Sequence, residues 1–85
     1  MDRKEDFSWH EFERGVVMEL YYVSVNAQKT GEHEVHTWLC SSMPNVSNRL
    51  LIGSFDNCKD ALKAAKKIYA QVDGCARCCP ECNKR

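Results

Sequence analysis

The sequence has little of what defines a membrane protein or a secreted protein. It has 85 residues, only 4 glycines and 2 prolines, and charges that balance to a formal net charge of zero. No apolar run approaches the roughly 18–20 residues that a membrane-spanning helix needs. No apolar core of a secretory signal interrupts the charged starting segment MDRKEDFSWHEFERG. We therefore expect one small cytoplasmic domain, monomeric and without a membrane partner.

The sequence also lacks the motifs of common enzyme classes. It contains no nucleophile elbow, no P-loop, no H-E-x-x-H zinc motif and no dinucleotide-binding glycine fingerprint. A chain of this length hides only roughly 60–65% of the surface that its unfolded form exposes. Small domains of this kind often gain stability from disulfides or from a structural metal. A binding module is therefore expected rather than an enzyme.

Residue patterns predict a small α+β fold. Aromatic and β-branched residues favour strands at 18–26, 33–39 and 49–55, with a loop at 41–48 between the last two. These strands predict a three-stranded antiparallel sheet. Residues 1–17 are mostly charged and look appended, so we expect a flexible extension followed by one domain at 18–85.

One helix is predicted after the third strand. Asn57 can cap it, with Asp60 three residues later. Apolar residues then recur on one helical face as far as Val72. Gly74 is placed where a glycine often ends a helix. The remaining CARCCPECNKR is predicted to form a cysteine knuckle.

Two pairs of residues have the spacing of metal ligands. Cys75 and Cys78 form a C-x2-C pair, which lets both thiolates face one ion. His36 and Cys40 form an H-x3-C pair near the end of the second strand. Zinc prefers four nitrogen and sulfur ligands in a tetrahedron, so the two pairs predict one zinc site.

Several alternatives stay open at this stage. Cys79 and Cys82 form a second C-x2-C pair, and His33 could replace His36, although residues three apart on a strand face opposite sides. Cys58 lies on the apolar helix face and is interpreted as a small buried hydrophobe. Disulfides are the weaker interpretation, because cytosolic thiols stay reduced.

The pattern resembles the metal-binding domain of the Ada family of DNA-repair proteins. The resemblance runs from about residue 21 to residue 82 and rests on HTWLC (36–40), SNRLLIGSF (47–55), NCKDALKAAKKIY (57–69) and CARCCP (75–80). It implies an Ada-like fold with zinc held by the two pairs. In that family a cysteine at the position of His36 accepts a methyl group from a DNA phosphotriester, a reaction that histidine does not support. The chain also resembles small uncharacterised bacterial proteins with a HEVH element and a GCxxCCxxC end.

Three functions are compatible with this sequence. The first is a non-enzymatic structural-zinc module for interaction or regulation, with an unknown protein partner. The second is a redox protein that uses the thiols of Cys78, Cys79 and Cys82. The third is weak, sequence-independent DNA binding in the Ada manner. Its candidate contacts are the basic residues Lys59, Lys63, Lys66, Lys67 and Arg77.

Overall fold

A computed structural model of the protein describes residues 18–84, so the extension predicted for residues 1–17 lies outside the described residues. The described elements are, in chain order, β1 (Glu19–Ser24), β2 (His33–Thr37), a 3₁₀ turn (Val46–Asn48), β3 (Arg49–Phe55), α1 (Cys58–Ala65), β4 (Val72–Gly74) and a second 3₁₀ turn (Pro80–Cys82). The α+β class with one helix is confirmed for this part of the chain. None of its helices is long and apolar enough to cross a membrane.

The sheet has four strands, so the predicted three-stranded antiparallel sheet is wrong. Its order is β3-β1-β2-β4. β1 pairs antiparallel with β2 and with β3, whereas β4 pairs parallel with β2. The fourth strand is only three residues long and follows the helix. Its parallel pairing brings the chain after β4 alongside the chain after β2.

The core forms where α1 packs on one face of the sheet. Tyr21 and Val23 alternate along β1, and Val23 lies opposite Val35 of β2. Val23 and Val35 are completely buried, as are Ala61 and Ala65 of the helix. Two alanines on the inner face let the helix approach the strands closely, so a short helix can bury a small core.

The start of α1 follows the sequence prediction, but its end does not. The Asn57 side chain accepts a hydrogen bond from the Asp60 amide at 2.8 Å and caps the helix. The α-helix ends at Ala65 instead of continuing to Val72. The Ile68 and Tyr69 amides both donate to the Ala65 carbonyl, which closes the last turn. β4 then begins at Val72, seven residues after the end of the helix.

Gly74 is the last residue of β4 and not a helix terminator, which corrects the prediction. A Cβ at this position would lie 2.8 Å from Cys82 Cβ and 2.9 Å from the Cys79 carbonyl oxygen. Gly74 is therefore required for close approach of the C-terminal 3₁₀ turn to the sheet. This contact places the cysteine-rich end of the chain directly against β4.

Candidate metal centre

Four side chains from two separate regions of the chain converge at one end of the sheet. They are the two predicted pairs, His36 with Cys40 and Cys75 with Cys78. Each offers one ligand atom, and these atoms all lie within 4.8 Å of one another. The parallel pairing of β2 with β4 produces this convergence, because the Cys75 amide donates to the Val35 carbonyl at 3.0 Å. Cys75 therefore lies level with His36.

The spacing of the sulfur atoms suits a tetrahedral ion. The Sγ atoms of Cys40 and Cys75 are 3.7 Å apart. A tetrahedron with zinc–sulfur bonds of about 2.3 Å has edges of about 3.8 Å between sulfurs. At least one pair of ligand atoms is wider than this edge, so binding of a zinc ion would draw the cluster slightly inward.

Each of the three sulfurs in the cluster accepts one backbone N–H. The amide of Thr37 donates to Cys78 Sγ at 3.3 Å. The amides of Ser42 and Arg77 donate to Cys40 Sγ and Cys75 Sγ, each at 3.4 Å. A hydrogen bond to the charged form of a group favours that form. The last residue of β2 and the turns after β2 and β4 thus direct partial positive charges at the three sulfurs.

His36 has a ring nitrogen left over for a ligand. Its Nε2 lies 3.6 Å from Glu34 Oε1, two residues earlier on the same strand face. Its Nδ1 is buried and, within residues 18–84, has no hydrogen-bond partner. Burial lowers the pKa of His36, although the Glu34 carboxylate opposes the shift. A buried, neutral imidazole with a carboxylate behind it is the arrangement of many metal-bound histidines.

Burial within the cluster affects the protonation of the Cys40 thiol. Burial raises the pKa of the Cys40 thiol, and the hydrogen bond that this thiol donates to Cys78 raises it further. A coordinated divalent cation reverses this effect, because a thiol bound to it is deprotonated outright. The donor set of one nitrogen and three sulfurs fits zinc.

The remaining cysteines lie outside the cluster. Cys58 and Cys82 form a disulfide with a Cα–Cα distance of 6.4 Å. The interpretation that ranked disulfides as the weaker possibility is therefore corrected. The prediction of Cys82 as an alternative metal ligand is corrected too, because its sulfur is bonded to Cys58. Cys58 is buried on the helix face as expected, but it is covalently paired with the C-terminal 3₁₀ turn.

Adjacent Cys78 and Cys79 have different environments. Cys78 is partly exposed and joins the cluster, whereas Cys79 is completely buried in the core. Their Sγ atoms are 3.8 Å apart. Burial is the main reason that the pKa of the Cys79 thiol is strongly raised. Cys78 therefore belongs to the candidate metal cluster, whereas Cys79 packs in the core.

His33 is engaged elsewhere. Its Nδ1 lies 2.8 Å from the Ser24 carbonyl oxygen, and its ring stacks on Tyr69 with centroids 3.6 Å apart. This separation from His36 is expected for two residues three apart on one strand. Glu34 is the residue near the cluster that the sequence reasoning missed. Its position two residues before His36 was the available signal.

Three of the five predicted basic contacts line one groove. Lys59, Lys63 and Lys66 are exposed along one groove beside α1. Lys67 is exposed but does not line that groove, and Arg77 lies in the turn that carries the cluster.

Comparison with known proteins returned no likeness: the chain matches no protein-family model, no curated protein and no solved structure.

Proposed function

We propose that this chain is a small non-enzymatic module built around one structural zinc ion, held by His36, Cys40, Cys75 and Cys78. The observation that carries the proposal is the convergence of four possible ligand atoms within 4.8 Å of one another. Beside it, the buried Nδ1 of His36 has no hydrogen-bond partner among the described residues. The module serves interaction or regulation.

A structural role follows from the number of ligands. Four protein ligands fill a tetrahedral zinc ion and leave no position for a reacting water. The Ada-like interpretation of the sequence leads to the same conclusion. The position that accepts a methyl group in that family is His36 here, and its unpartnered nitrogen supports a role in holding the ion.

The structure gives less support to a thiol enzyme. Such an enzyme needs an accessible cysteine with a lowered pKa. Cys79 is completely buried with a raised pKa, and Cys82 is already bonded to Cys58. Neither residue has the environment of a reactive thiolate.

The energetic contribution of the ion explains why a short chain would need it. Structural zinc in small finger peptides contributes about 10–16 kcal/mol at neutral pH. The disulfide closes a loop with a sequence separation of 24, for which the chain-entropy model gives about 3.5 kcal/mol. Zinc binding would therefore contribute more to the free energy of folding than the disulfide does.

Native mass spectrometry of the full chain, purified without chelator, tests the proposal directly. We expect one zinc per chain, with its identity established by elemental analysis. Removal of the ion by a chelator should abolish the circular dichroism signal of the sheet and helix while the disulfide stays intact. A metal-free chain that keeps its folded spectrum would overturn the proposal.

A further inference from the structure

A groove lies between α1 and the C-terminal 3₁₀ turn and has a cavity volume of about 290 Å³. This volume is close to the lower limit of about 300 Å³ for ligand pockets, so the groove suits individual side chains of a partner. Its lining includes four exposed lysines from two separate segments of the chain, and we call it the lysine groove. Lys59, Lys63 and Lys66 come from the helix and its C-cap, and Lys84 comes from the C-terminal segment.

The C-terminal wall of the lysine groove is fixed to the rest of the domain. Cys82, which lines the groove, is bonded to Cys58 at the start of α1. The Lys84 amide donates a hydrogen bond to the buried Asp73 carboxylate at 2.9 Å. The two walls are therefore held in place before any partner binds. Such a preformed groove loses less conformational entropy on binding than a mobile surface does.

The charge of the lysine groove selects an anionic occupant. Four lysines and one acid, Glu81, line it within the described part of the chain, so the lining has a net positive charge. The helix rises about 10 Å from Lys59 to Lys66. An extended peptide covers the same distance in about three residues. Carboxylates that are spaced along a short extended segment can therefore reach all the helix lysines.

The rest of the lining favours an acidic peptide over a nucleic acid. Leu62 is partly buried and offers an apolar side chain, to which the lysine stems and Cys82 add apolar surface. Among residues 18–84, the lining includes no aromatic side chain on which a base could stack. It likewise includes no arginine for two-pronged phosphate binding. This chemistry matches a segment that combines carboxylates with a large apolar side chain.

We propose that the lysine groove binds an acidic segment of a partner protein, with a large apolar side chain among its carboxylates. The carboxylates pair with the lysines, and the apolar side chain contacts Leu62. This inference rests on the proposed function, since it names the partner chemistry of that interaction module, but the groove shares no residue with the four-residue cluster. Exposed ion pairs contribute little individually and are screened by salt, so the affinity should fall as the salt concentration rises.

Fluorescence anisotropy with the full chain tests this binding. The probe is a fluorescein-labelled peptide in which leucines are spaced among glutamates, and we expect it to bind saturably. Lys63→Glu combined with Lys66→Glu should weaken binding about tenfold or more, because like charges then face each other. The matched control combines Lys29→Glu with Lys67→Glu, which lie exposed outside the groove lining. It changes the net charge equally and should leave the affinity within about twofold of the original.

Two further probes test the chemistry of the occupant. A peptide with alanine in place of leucine should bind severalfold more weakly, because it buries less apolar surface. A thymidine oligonucleotide of equal charge should also bind more weakly than the leucine peptide. The proposal is overturned if the leucine peptide does not bind, if the control variant weakens binding as much as the groove variant, if the leucines make no difference, or if the oligonucleotide binds more tightly.

Zinc content and circular dichroism, measured on the same samples, separate this proposal from the proposed zinc site. A folded chain that holds one zinc and fails to bind the leucine peptide overturns the groove proposal alone. A folded chain that holds no zinc and binds the leucine peptide supports the groove proposal and contradicts only the zinc site.

Discussion

Adjacent Cys78 and Cys79 provide the sharpest test of the metal centre. Both are cysteines of the same short segment, yet only Cys78 lies in the four-residue cluster. Replacing each in turn by serine keeps the change in size and chemistry identical. The two variants therefore differ only in the environment that the structure assigns to each side chain.

The expected magnitudes are far apart. Cys78→Ser removes a proposed zinc ligand, and even the loss of a residue that merely supports a ligand weakens metal binding about 10–100-fold. The variant should then lose most of the about 10–16 kcal/mol that zinc binding contributes to folding. This loss exceeds the free energy of unfolding of many small domains. Cys79→Ser places a hydroxyl in an apolar site and should cost about 1–3 kcal/mol. Its zinc content should stay at one per chain.

Zinc stoichiometry by native mass spectrometry and thermal melting by circular dichroism read out both effects. Chelator competition gives the affinity of each variant that remains folded. The assignment is refuted if both variants lose zinc equally, or if Cys79→Ser loses it and Cys78→Ser retains it.

Three further predictions follow from the same structure. Cys58→Ala with Cys82→Ala should lower the free energy of unfolding in urea by about 3.5 kcal/mol, through the lost loop closure, while zinc content stays unchanged. Loss of zinc in that variant would contradict the separation of the two cross-links. Glu34→Gln should weaken zinc binding about 10–100-fold in chelator competition without unfolding the chain, because Glu34 supports His36; an unchanged affinity would exclude that role. Burial raises the pKa of Tyr21 from 10.0 to about 12, so its phenol stabilises the fold fully below pH 10 and this contribution is lost as the pH rises from 10 towards 12. Tyrosinate absorbance compared with Tyr21→Phe should show one late-titrating phenol, and its absence would refute the burial argument.

Local patterns were sufficient for part of the fold. β3 was predicted with its observed bounds because RLLIGSF is bracketed by polar turns. The start of α1 was predictable because an Asn57 cap is a local signal with a local hydrogen bond. The two ligand pairs were visible for the same reason, since each pair lies within five residues.

Features that depend on distant contacts were not predictable in this way. β4 is three residues long, and its pairing with β2 has no local signature. Apolar residues keep their helical spacing as far as Tyr69, although α1 ends at Ala65. Tyr69 lies beyond the helix, where its ring stacks on His33. The disulfide partner of Cys58 could not be chosen either, because six cysteines allow many pairings.

The two cross-links have an interleaved order along the chain. The proposed zinc ion would join Cys40 to Cys75, whose sulfurs are neighbours, whereas the disulfide joins Cys58 to Cys82. Any cut between residues 58 and 75 therefore leaves both halves tied together twice. The exposed Lys66–Lys67 bond is a natural trypsin site of this kind. A chain nicked there should stay one particle after reduction alone or chelation alone, and should separate into two fragments only after both.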